Sequence, residues 1–175
     1  MIDISKIEVN TLELMKEVSK SRKEYVIPLI HANDIISAYD VIECTNIDNS
    51  NMLSKMPSSE SFVCAIDPSL VPNIIAQFHN HPGEIKVLVS TQDMIILDKF
   101  NIPLIIGGKK EIKLFELKYQ NTFKDDLENL KQTQDNVFEN LSLGKPIDDD
   151  LRNKYRDTYE KALSNLNITF IYLEK

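Results

Sequence analysis

Phe78-His79-Asn80-His81-Pro82-Gly83, followed after a short loop by Ser90-Thr91-Gln92-Asp93, is the stretch on which the reading of this chain turns. The chain holds three histidines, and two of them stand here, two positions apart. Side chains at i and i+2 of an extended segment share a face. Both imidazoles can therefore reach one ion at about 2.0–2.1 Å. Asn73–Phe78 reads as a further strand that runs straight into His79. Ser90 and Asp93 have the spacing of a helix N-cap with an acid at the third helical position, and Asp93–Phe100 is helical in pattern. Two imidazoles and one carboxylate leave a fourth coordination position open. Catalytic zinc sites have that layout, whereas closed structural sites use four protein ligands. The pattern predicts one Zn2+ held by His79, His81 and Asp93. The alternative is plainer: two surface histidines at a strand end and an ordinary helix cap.

The flanking sequence predicts a mixed α/β domain. Residues 10–23 carry Leu12, Leu14, Met15 and Val18 on one side of a helix. Tyr25–Ile30 is a continuous apolar run, the pattern of a buried strand, and Ile35–Asn46 is a second candidate. Ile47 to Ser61 is polar and reads as a loop. Phe62–Ile66 is a short strand stopped by Asp67-Pro68, and Ile102–Ile106 is another. Gly107-Gly108-Lys109 is a hairpin turn from which Glu111–Leu117 pairs back. Thr122–Leu143 then shows a helical stripe: Phe123, Leu127, Leu130, Val137, Phe138 and Leu141. Gly144-Lys145-Pro146 breaks it. Asp148-Asp149-Asp150 suits the positive end of a second helix, which turns Leu151, Tyr155, Tyr159, Ala162, Leu163 and Leu166 inward. Ile168–Leu173 closes the chain as a strand. The expected organisation is a core over residues 1–118, with 119–175 adding a helical hairpin and a last strand to the same domain. The hairpin reads as packing, with a partner or self-association surface on its helices as the alternative.

Composition narrows the classes of function. The 175 residues are 42% hydrophobic and 27% charged, enough for one sizeable core. A net charge of −7 argues against a nucleic-acid backbone as the main partner. No apolar run is long enough to span a membrane. The opening residues Met1–Lys6 lack a signal-peptide layout, so a cytoplasmic location is expected, with Cys44 and Cys64 as buried thiols.

The pattern H-x-H-P, a loop, then S-x-x-D resembles the JAMM (MPN+) metalloprotease motif, and His79-Asn80-His81-Pro82 is similar to its prokaryotic form. The likeness covers residues 10–118. It implies an MPN-type fold, a mixed sheet flanked by helices in a cytidine-deaminase-like layered architecture. It also implies roles. Glu24, which opens the first apolar run, would be the general base; His79, His81 and Asp93 the zinc ligands; Ser90 the oxyanion donor. Glu43 and Glu60 are rival bases. The activity implied is hydrolysis of an isopeptide or peptide bond, with a protein or peptide substrate such as a conjugate of a ubiquitin-like modifier. Two rival readings are a non-catalytic MPN scaffold and a RadC-like protein. The sequence departs from the pattern in three places. The loop between His81 and Ser90 holds eight residues where the family usually has seven; at the usual spacing Val89 and Gln92 would fill the serine and aspartate positions. His31 replaces a glycine, and Asp67–Pro72 is too short for the helix that normally precedes the metal-binding strand.

Overall fold

Residues 1–44 and 65–174 are described by a computed structural model. The first helix, α1 (Val9–Ser19), leads into β1 (Tyr25–Ala32), which hairpins into β2 (Ile35–Ala38). A two-residue strand, β3 (Ile42–Glu43), returns to pair with the start of β1. The strand expected over 35–46 is thus divided at Tyr39-Asp40-Val41. There the Asp40 carboxylate accepts the Val41 N–H at 2.8 Å, a local bond that competes with the ladder. The expected loop 47–61 and strand positions 62–64 lie outside the described residues. Ala65 and Ile66 are buried but not in a strand. Cys44 is disulfide-bonded rather than a thiol, because the thiol reading rested on compartment and carried no geometry; Cys64 is outside the described residues.

The chain then forms β4 (Ile74–Asn80), α2 (Thr91–Phe100), β5 (Leu104–Gly107) and β6 (Glu111–Leu117). Asp67–Pro72 supplies only a 3-10 turn, Pro68–Leu70. The hairpin α3 (Gln120–Ser142) and α4 (Asp149–Ser164) follows, and β7 (Leu166–Leu173) pairs antiparallel with β6. The mixed seven-stranded sheet runs β2-β1-β4-β5-β6-β7, with β3 also on β1. Only β4 and β5 are parallel. A parallel pair needs a crossover connection, and α2 supplies it.

Four helices, among the described residues, cover the two faces. Residue alternation along the strands sorts the core. On one face Met15 and Val18 of α1 pack on Ile27, Leu29, Phe78 and Ile105. On the other, Met94 and Leu97 of α2 meet Leu104, Ile106, Phe115, Phe123, Leu127 and Leu130. Each fully buried side chain of this kind stabilises the fold by about 1.5–3 kcal/mol. Gly107 sits where α1 crosses the sheet: a Cβ there would lie 2.1 Å from Ser19 Oγ and 2.8 Å from the Phe78 ring. Its carbonyl accepts the His81 N–H at 2.9 Å and so fixes the end of β4. The far part of α3 differs from expectation. Phe138 and Leu141 are more than half exposed: the buried positions of α3 end at Thr133. Among the described residues no helix is long and apolar enough to cross a membrane.

Candidate metal centre

His79 and His81 lie at and just beyond the end of β4, on the face covered by α2. The first turn of α2 brings Asp93 to them. His79 and Asp93 are buried, and His81 is largely so. His79 Nε2 lies 3.1 Å from His81 Nε2 and 2.9 Å from Asp93 Oδ1. His81 Nε2 is 3.4 Å from Asp93 Oδ2. Ligand atoms at about 2.0–2.1 Å from a tetrahedral zinc are about 3.3 Å apart. The three side chains therefore stand at nearly the mutual spacing of a bound set, and these ligand atoms could hold a metal ion. The donor set of two nitrogens and one oxygen suits zinc, and a fourth position remains for water or substrate.

Local structure explains why Asp93 faces the histidines. Ser90 is the N-cap of α2, and its hydroxyl accepts the Asp93 N–H at 3.1 Å. Asp93 Oδ2 accepts both the Ser90 N–H and the Ser90 hydroxyl, each at 2.7 Å. Oδ1 is left toward His79. The capping box thus aims the carboxylate as well as starting the helix. With this register the loop holds one residue more than the resemblance suggests. Val89 is buried in the core, and Asp93 is the residue that meets both imidazoles.

The loop is held by side chains from elements that follow it. Glu111, itself buried, accepts the Val87 N–H at 2.6 Å. Lys113 donates to the Val87 carbonyl at 3.2 Å. The Tyr159 hydroxyl on α4 donates to the Val89 carbonyl at 2.7 Å. Burial pushes this phenol up to about 12, so it remains a donor. Within the loop, Glu84 Oε2 lies 3.1 Å from His81 Nδ1. A carboxylate accepts, so Nδ1 carries a hydrogen, and Nε2 is the ring nitrogen that faces the cluster.

No family model matches the chain, and neither does any curated protein. The electrostatics of the cluster describe what it can do. Burial would raise Asp93, but the charges and hydrogen bonds of His79 and His81 outweigh it and hold the carboxyl well below its ordinary range. Burial would lower His81, yet Asp93 and Glu84 outweigh that and raise it from 6.5 to about 9. The cluster therefore favours positive charge at His81 and negative charge at Asp93.

Glu24 stands one residue before β1. Val26 is paired with His79 in the ladder, so residues 24 and 26 share the face of His79 and His81. Burial raises the Glu24 carboxyl above its ordinary value; His79 and His81 oppose the shift and Asp93 adds to it. All three members of the cluster thus act on it. Of the rival bases, Glu43 is ion-paired with Lys23 at 2.9 Å, and Glu60 lies outside the described residues. His31 is exposed on β1, 3.9 Å from Asp34, and takes no part in the cluster. The sequence reading missed Glu84 and Tyr159. Glu84 was findable, as a carboxylate three residues after a candidate ligand within one turn. For Tyr159, 70 residues from its partner, no local signal exists.

Proposed function

We propose that the protein is a JAMM-type zinc hydrolase that cleaves an isopeptide or peptide bond, on a fold of the MPN kind. The observation that carries this reading is the convergence of His79 Nε2, His81 Nε2 and the Asp93 carboxylate at 2.9–3.4 Å, with Glu24 on the same face. His79, His81 and Asp93 would hold the ion. Zinc, when bound, lowers the pKa of a water from 15.7 to about 7 and polarises a carbonyl.

The chain's own groups do the rest. Glu24 takes the proton from the attacking water and later passes it to the leaving amine. Its raised pKa suits both steps, since a base and acid works best when its pKa lies near the operating pH. Glu84 holds the His81 ring in the ligating tautomer, and Ser90 holds Asp93. The substrate is proposed as a protein or peptide, with conjugates of ubiquitin-like modifiers as the first class to try. The net charge of −7 disfavours nucleic acid.

One observation favours a non-catalytic scaffold instead. Ser90 has a single hydroxyl proton, and it is engaged by Asp93, so oxyanion donation requires it to change partner. The test is elemental analysis of the purified protein, together with a cleavage screen over ubiquitin-like conjugates and peptides with and without a chelator. The expected result is one zinc per chain and cleavage that the chelator stops and zinc restores. A well-folded chain that cannot take up zinc overturns the reading; zinc without cleavage leaves the scaffold.

A further inference from the structure

Asn80 stands between the two histidines and is completely buried. Alternation turns it toward the face opposite the cluster, so it is not a ligand. Its carboxamide is engaged at both ends. Oδ1 accepts the Tyr25 N–H at 2.7 Å, and Nδ2 donates to the Lys23 carbonyl at 2.8 Å. Those two groups belong to the peptide units on either side of Glu24.

The ladder explains why a side chain is used there. The last β1–β4 pair is Val26 with His79. Before it, the chain turns to β3: Tyr25 pairs with Glu43, and the Glu24 carbonyl accepts the Cys44 N–H at 3.0 Å. On the β4 side, the Asn80 carboxamide takes over from the missing backbone partner. Gln77 does the same in this strand: its amide pairs with both backbone groups of Ile66. Only a carboxamide offers one acceptor and one donor in a plane; aspartate has two acceptors, and leucine has neither.

We propose that Asn80 is a positioning residue, which fixes the Glu24 carboxylate over the metal cluster by holding both peptide groups that flank it. This rests on Glu24 being the base of the proposed hydrolase. A base must come within about 2.6–3.2 Å of its proton, and a displacement near 1 Å costs on the order of 10²-fold in rate. The H-x-H segment therefore carries the histidines and, in its middle residue, the tether of the base.

The test uses the full chain with Asn80→Ala and Asn80→Asp. Asn80→Asp keeps the volume and the Tyr25 bond if the alanine variant fails to fold. Zinc affinity is measured by chelator competition and is expected to stay at the wild-type value. The Glu24 carboxyl carbon is followed by NMR with labelled glutamate, its signal assigned by its loss in Glu24→Gln. In wild type it shifts on adding zinc; in the Asn80 variants that response is lost although zinc binds. Where a substrate is found, kcat falls by roughly 10–100-fold with KM unchanged, and Asn80→Asp adds nothing in a Glu24→Gln background.

A zinc-loaded Asn80→Asp chain with the full wild-type Glu24 response overturns the proposal, even if it melts earlier, because a purely stabilising role lowers only the melting temperature. Wild type that binds zinc but cleaves nothing defeats the hydrolase reading, while the carboxyl response still decides the positioning. Wild type that binds no zinc overturns both.

Discussion

Raising the pH of the metal-free protein should tighten zinc binding well beyond the range in which an ordinary imidazole stops titrating. Zinc needs the lone pair of His81 Nε2, so a protonated ring must lose its proton first. That ring lies 3.1 Å from Glu84 Oε2 and 3.4 Å from Asp93 Oδ2. Burial works against its charge, but the two carboxylates prevail and raise its pKa from 6.5 to about 9. Asp93 is held low and stays ionised over the whole range. Between pH 6.5 and 9 the apparent zinc affinity should then rise on the order of 10²-fold, against about twofold for an unshifted imidazole. At pH 7.5 zinc uptake should release about one proton from this ring instead of about a tenth of one. The affinity can be measured by competition with a chromophoric chelator of known protonation. The proton count follows from calorimetry in buffers of different ionisation heat. A rise of only about twofold, or a count near zero at pH 7.5, would refute the coupling of His81 to Asp93 and Glu84.

The same pair sets the stability of the metal-free protein. The raised His81 contributes fully below 6.5 and its contribution is lost as pH climbs to about 9, whereas the lowered Asp93 contributes fully above 3.8 and is lost only in acid. Calorimetry of chelator-treated protein should therefore find a lower melting temperature at pH 9 than at pH 6.5, and a flat profile over that interval would contradict the ion pair. Glu24→Gln should keep zinc and thermal stability but slow cleavage by roughly 10²–10⁴-fold; full activity in a steady-state assay would remove Glu24 from the mechanism. Ser90→Ala loses an N-cap worth about 1 kcal/mol, so thermal melting should come about 2–4 °C earlier. The variant should bind zinc more weakly as Asp93 loses a hydrogen bond; unchanged affinity would limit Ser90 to starting the helix.

The layered α/β pattern was legible because its signals are local. Tyr25–Ala32, Ile74–Asn80 and Leu104–Gly107 are short segments rich in apolar residues and bounded by polar or turn residues, and α2 announces itself through the Ser90–Asp93 capping box. His79, His81 and Asp93 could be grouped because a two-residue strand spacing and a helix start confine them to few arrangements. The mutual spacing of their ligand atoms was not legible, since it depends on how α2 crosses between β4 and β5. Phe138 and Leu141 show the limit of periodicity: a stripe tells which side of a helix is apolar, not how far along its length a neighbour reaches. Asn80 shows another limit. Its two hydrogen bonds join positions 55 and 57 residues apart, and nothing near Glu24 in the sequence marks them.

The bonds that hold the loop before Ser90 come from Glu111, Lys113 and Tyr159, all later in the chain than Asp93, the last of the candidate ligands. During synthesis the ligands therefore leave the ribosome before the residues that secure the loop beside them. The nascent chain then carries the three candidate ligands before it carries Tyr159 of α4, whose hydroxyl holds the Val89 carbonyl. In the proposed hydrolase, that order would keep the site incomplete until α4 has been made.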